Sequence, residues 1–182
     1  MKRKPSKTLG NYESPHIISL MRLVETQSKA MLIRWGTAYV EKSILPIYEN
    51  AYPLDTRPRD GLTNAIGWLE GRVKFADAKE TNYNAHQAAT QAEGNYAAQA
   101  AARAAAHAAL TIHVPIHCLG IAFYGTTALA YAQAGMEAEP EVYDKIAAEE
   151  CAKMEAALRC MAIENEPHPA KMDWKFWRFV NR

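Results

Sequence analysis

The sequence predicts an all-α fold: a compact multi-helix bundle around a central alanine-rich helix that bears histidines. Three observations predict it. Alanine, the strongest helix former, dominates residues 97–109. Elsewhere apolar residues recur at intervals of three and four, the spacing that lines one face of a helix. No run rich in Val, Ile and Thr alternates between turn signals as a strand would. The 182 residues, 49% hydrophobic and 23% charged, suffice for one core without disulfides or metals. The expected organisation is an irregular tail over 1–13 and a single helical domain over 14–182.

The elements follow in order. Ser14 is a candidate N-cap and Pro15 suits a first helical position. Ile17, Ile18, Leu20, Met21, Leu23 and Val24 then give helical spacing. Ser28 is placed to cap a second helix with Met31, Leu32, Trp35, Ala38, Tyr39, Ile44, Leu45 and Tyr48 on its buried face, and Pro46 is expected to kink its last turns. Tyr52 to Pro58 reads as a loop. Pro58 opens the next helix, with Asp60 near the positive end of its dipole and Leu62, Ile66 and Leu69 facing inward. A further helix over about 75–93 stops at Gly94-Asn95. The alanine helix is expected to continue through Leu110, Ile112 and Val114 until Pro115 kinks or restarts it. A last long helix runs from Glu139-Pro140 to about Ile163 and ends before Pro167 and Pro169. The aromatic stretch Asp173 to Val180 is expected to pack back as a short helix.

Charge and cysteine content narrow the function. Lys+Arg is 21 and Asp+Glu is 20, so no broad nucleic-acid surface is expected. The terminal Lys2, Arg3, Lys4 and Lys7 read as a solvated end. No apolar segment follows them, so no secretory leader is expected. Cys118, Cys151 and Cys160 are too few and too scattered for a disulfide framework, which points to a reducing, cytoplasmic setting. Ala104 to Ala134 is the most apolar stretch. His107, His113, Pro115, His117, Thr126 and Thr127 interrupt it, so it reads as a core segment rather than a membrane span.

The candidate functional residues are mostly histidines. On a continuous helix turning ~100° per residue, Arg103, His107, His113 and His117 share an arc of roughly 120°. Leu110, Val114 and Ile121 lie on the same arc, so the stripe is partly buried. Three readings stay open: core histidines bonded to neighbouring polar groups, a polar cleft that recognises a ligand or partner, or a metal site. In the third, His113 and His117 at i, i+4 would share zinc or another divalent cation with His86 from a second helix. The zinc-protease pattern His-Glu-x-x-His is absent. His16 and His168 read as solvated, and Glu149, Glu150 and Glu155 as the wet face of the last helix. Cys118 and His117 are helix neighbours about 100° apart, not a nucleophile–base pair. Phosphate-loop, nucleophile-elbow and dinucleotide motifs are missing, so neither a catalytic residue nor a cofactor is expected. Asp55, Arg57 and Arg59 form a charged loop. Either it is a helix-start ion pair, or Arg57 turns inward to bind an anion or a partner's carboxylate.

Several stretches carry a resemblance: Ile44-Leu45-Pro46-Ile47-Tyr48-Glu49, Tyr52-Pro53, Asp55-Thr56-Arg57-Pro58-Arg59, Ala65-Ile66-Gly67-Trp68 and Ala85-His86-Gln87-Ala88-Ala89. They continue with Ala101 to Ala109, His113-Val114-Pro115-Ile116-His117-Cys118-Leu119-Gly120, and Tyr124 downstream. Over roughly 31–131 the chain resembles the immunity proteins of bacterial polymorphic-toxin systems, the immunity-five-like helical domain. The segment from about 136 onward departs from that pattern. The resemblance implies an all-α fold and a role in neutralising a toxin. Its pattern maps onto Asp55, Arg57, His86, Arg103, His107, His113 and His117 without giving any of them an individual chemistry. The expected function is therefore a non-enzymatic binder whose partner is a cognate toxin. The alternatives are a metal- or small-molecule-binding helical protein or enzyme built on the histidines, and a helical homo-oligomerisation module.

Overall fold

A computed structural model describes residues 6–174. Its eight α-helices among the described residues are α1 (Pro15–Val24), α2 (Lys29–Ser43), α3 (Leu45–Ala51), α4 (Arg57–Leu69), α5 (Phe75–Gln91), α6 (Tyr96–Leu110), α7 (Thr126–Ala134) and α8 (Pro140–Met161). A 3-10 turn (Pro115–Cys118) and a π turn (Ile121–Gly125) lie between α6 and α7. No strand occurs among the described residues, and the fold is all-α as the sequence predicts.

α6 is the centre. Nine of its alanines and His107 are buried, from every side of the helix. A helix apolar all round must be enclosed, and α6 packs against α2, α3, α4, α5, α7 and both turns that follow it. Alanine serves here twice: it favours the helix, and its single methyl lets neighbouring backbones come close. Bulk is supplied from outside α6, by buried Leu20, Leu32, Trp35, Ile44, Leu45, Tyr48, Ile116, Leu119 and Ile121. Trp35 also satisfies its one polar atom, its Nε1 donating to the Met154 carbonyl of α8 at 3.1 Å. Among the described residues no helix is long and apolar enough to cross a membrane.

Pro46 departs from expectation, whereas Pro115 restarts helical winding as expected, in a 3-10 turn. Pro46 does not kink a long helix. It stands in the first turn of α3, after α2 has stopped at Ser43. Proline has no N–H for the i→i−4 bond, and its ring crowds the carbonyl one turn back, so a separate helix starts there. Pro115 ends the alanine helix earlier than expected. α6 stops at Leu110, residues 111–113 form a turn, and Val114 is extended (φ −131°, ψ 121°), the conformation favoured before proline. His113 and His117 therefore do not lie on the helix that carries His107.

The described segments before α1 and after α8 are tied down. Residues 6–13 are irregular as expected, yet Leu9 is buried against Ala130 and Ala147. The Leu9 amide donates to Thr127 Oγ1 at 2.9 Å, and the Tyr131 hydroxyl donates to the Ser6 carbonyl at 2.9 Å. Ser14 holds the N-cap position of α1, but its hydroxyl makes no cap bond and accepts from the Asn11 amide instead. Ser28 does cap α2, and Asn95 caps α6. Beyond α8, Gln27 clasps the returning chain. Its Oε1 accepts from the Ile163 amide at 2.8 Å, its Nε2 donates to the Ile163 carbonyl at 3.2 Å, and its own carbonyl accepts from the Ala170 amide at 2.8 Å. Trp174 Nε1 donates to the Glu25 carboxylate; the rest of the aromatic stretch to Val180 lies outside the described residues.

Three expectations of solvation fail, those for Glu150, Glu155 and His16; Glu155 is part-buried, its carboxylate accepting from Arg159 Nε at 3.0 Å. Glu150 is buried rather than wet, and its carboxylate accepts from Gln133 Nε2 at 3.1 Å and Lys153 Nζ at 2.8 Å. Position on α8 explains this, since Ala147, Cys151 and Met154 on the same face are buried with it. His16 is half-buried, with burial lowering its pKa and Asp144 opposing the shift. His168 is exposed as expected.

Candidate functional site

The elements around the C-terminal half of α6 bring three histidines, a tyrosine and an arginine together. His107 occupies the middle, buried. The ring centroid of His86, from α5, is 5.8 Å away, that of His117, from the 3-10 turn, 5.4 Å, and that of Tyr124, from the π turn, 4.9 Å. Arg103, one turn before His107 on α6, holds its guanidinium 6.0 Å over the Tyr124 ring. His86, Arg103, His117 and Tyr124 are each half-buried, so the cluster reaches the surface while His107 forms its floor.

The local backbone makes this possible. Gly120 passes directly over His107. A Cβ at residue 120 would fall 2.3–2.5 Å from Cγ, Nδ1 and Cβ of His107, closer than carbon atoms approach, so only glycine fits. The π turn follows at once, and its wider winding sets the phase at which Tyr124 meets His107.

The electrostatics are one-sided. The His107 pKa is pushed well below its ordinary value, first by burial and then by His117, His86 and Arg103. Burial, then Arg103, lowers His86. Burial, then His86 and His113, lowers His117 to about 4. Besides burial, the groups that act on these shifts are histidines and Arg103, and among the described residues no carboxylate forms an ion pair with Arg103. At neutral pH the cluster presents neutral imidazoles, each able to donate and accept, beside one guanidinium that is always charged. That chemistry suits hydrogen bonding and anion recognition. The neighbouring Cys118 thiol is buried and held far above its ordinary pKa by that burial.

The remaining candidates fall into two other groups. His113 stacks on Phe75, with ring centroids 4.6 Å apart, and Phe75 meets Trp68 edge-on at 5.9 Å. Lys29 lies 5.4 Å from the Trp68 ring centroid and donates to the His113 carbonyl at 3.3 Å. The trio His86, His113 and His117 that spacing offered to a metal thus depended on a continuous helix that Pro115 interrupts. Among the described residues no group of three or more His, Cys, Asp or Glu is arranged to hold a metal ion.

Asp55 and Arg57 form the helix-start ion pair. Arg57 Nη2 lies 2.6 Å from Asp55 Oδ2, and its Nε donates to Oδ1 at 2.8 Å. The Tyr48 hydroxyl donates to Asp55 Oδ2 at 2.6 Å, and Arg57 Nη2 also donates to Gln91 Oε1 at 2.8 Å. The Arg57 hydrogen bond holds the Asp55 carboxyl at about 2, with burial opposing and Tyr48 assisting. Arg57 is therefore spent on its own chain's carboxylate rather than left for an anion. Arg59 is likewise engaged by Glu49 and Glu41. The pair braces a loop whose tip, Leu54, is 96% exposed.

A family model described as Imm-5 like putative immunity protein matches residues 22–157. The chain belongs to this family. The match takes in all seven candidate residues and also Gly120 and Tyr124. It extends further toward the C-terminus than the resemblance over 31–131, covering most of α8, and leaves the Leu9 anchor and the Gln27-held C-terminal segment outside or at its edge. No curated protein and no solved structure matches the chain. For this Imm-5 like protein, residue types and spacing pointed to His86, Arg103, His107 and His117. They missed Gly120 and Tyr124 as site residues, although both fall in stretches that carry the family resemblance.

Proposed function

We propose that this Imm-5 like protein neutralises a cognate bacterial toxin in the cytoplasm by binding it directly, without catalysis, and that the cluster of His86, Arg103, His107, His117 and Tyr124 belongs to the contacting surface. The observation that carries the reading is the family match across residues 22–157. The cluster supports it, being partly exposed and rich in hydrogen-bonding groups. Three free cysteines suit a reducing compartment. The test is affinity capture from the native host, with bound proteins identified by mass spectrometry, followed by co-expression of the captured partner. One large partner ending in a domain that stops growth, with growth restored by this chain, is the expected result. A captured partner whose toxicity the chain does not relieve would overturn the proposal.

A further inference from the structure

We infer that the histidine cluster is a receptor for a carboxylate side chain of a protein partner, with the neighbouring aromatic and basic face of α5 receiving the residues around it. The inference rests on the immunity reading for the identity of the partner as a protein, and on the geometry for its chemistry. Arg103 supplies a charge that no carboxylate of the described chain answers. Tyr124 holds that guanidinium at 6.0 Å from its ring, leaving the planar fork of donors for an oxygen pair. His86 and His117 approach the same His107 ring from α5 and from the 3-10 turn, and both reach the surface.

The surroundings continue the pattern. At ~100° per residue, Phe75, Lys79, Tyr83 and His86 fall within an arc of about 80° on α5. Phe75 is 44% and Tyr83 63% exposed. Lys79 and Lys29 are the charged groups that act on His113, and no acidic group acts with them. Val114, also exposed, follows His113. Lys29 and Lys79 act on His113, and His113 in turn acts on His117, so this basic and aromatic group adjoins the cluster that holds Arg103. Such a face complements an acidic segment with apolar neighbours.

The full chain is titrated with the blocked peptide tetraglutamate and, separately, with inorganic phosphate, and the imidazole Cε1 resonances are followed by NMR. Tetraglutamate is expected to shift His86 and His117 saturably while His16 and His168 stay in place, and Arg103→Gln is expected to weaken it at least tenfold. Arg103→Lys, which keeps the charge and removes only the planar fork of donors, serves if Arg103→Gln does not fold, and is likewise expected to weaken the peptide. Equal shifts at all six histidines, or a titration indifferent to both variants, would overturn the site. Saturation by phosphate at lower concentration than by the peptide would assign the site to a free anion and overturn the protein-carboxylate reading. Capture of a toxin equally well by Arg103→Gln sinks this inference alone. Peptide binding together with a captured partner that is no toxin sinks the immunity reading and leaves the carboxylate site standing.

Discussion

Gly120 decides whether the histidine cluster can form, because a methyl group there has nowhere to go. Gly120→Ala is expected to cost about 1–3 kcal/mol, the range for overpacking a tight core, read as a lowered urea midpoint. Since one of the contacted atoms is the Cβ of His107, adding His107→Ala should not restore the loss. The histidines give the protein a pH dependence of definite sign. His117 sits at about 4 in the fold against about 6.5 in an unfolded chain. Between those values the unfolded chain binds the proton and the folded chain does not, so stability falls as pH drops from about 7 toward 4 and levels off below. His86 and His107 are shifted in the same direction. For the half-exposed His117 ring, solvent screening reduces the effect to about 1–2 kcal/mol, and His117→Gln should flatten the slope in unfolding curves taken at pH 7, 5 and 4. Asp55 behaves oppositely. Its pKa is depressed to about 2, so its contribution is complete above about 4 and is lost only as pH falls through 2. At this scale the sequence was readable where the partners are close along the chain, as with Asp55 and Arg57. Gly120 and Tyr124 were not readable, because their contact with His107 depends on the turn between them and α6.

The elements show why. Angular bookkeeping placed His107, His113 and His117 on one arc by treating 103–117 as a continuous helix. His107 and His117 do meet, but through a chain reversal, while His113 turns to Phe75. Proline's effect on the preceding residue is local chemistry that the sequence states openly at Val114-Pro115. The path taken afterwards, a 3-10 turn and then a π turn, is set by packing against α2 and α6. Helix extents fared better, because caps and periodicity act within a few residues: α4 starts one residue before Pro58, and α5 and α8 end within two residues of their expected limits. The Gln27 clasp is an element-level device that periodicity could not reveal, since it joins residues 136 positions apart. Gln27→Ala removes both side-chain bonds to Ile163. The loss is expected to be about 1–2 kcal/mol, with faster proteolytic cleavage near residues 162–170 than in the parent chain.

Across the whole molecule, the unusual feature is a core whose centre is made of the smallest apolar side chain. Nine buried alanines of α6 have exposures of 0–3%, so the helix is held by close approach on all sides rather than by interlocking large groups. Enlarging any one of them meets neighbours already in contact. Ala101→Leu is expected to destabilise by about 1–3 kcal/mol or to prevent folding, whereas Leu54→Ala, at the exposed loop tip, should leave the unfolding midpoint within about 0.5 kcal/mol of the parent. This architecture was legible from composition: an alanine run of this length requires a helix, and a helix so apolar requires enclosure.

The alanine centre also fixes where the chain is free to change over generations. In a library carrying every single substitution, positions 98–109 would return almost nothing larger than the residue already there. Viable diversity would collect on the outward side of α5, on the Leu54 loop and on the rim of the histidine cluster. Sequence change would thus leave the interior nearly constant and accumulate at the surface.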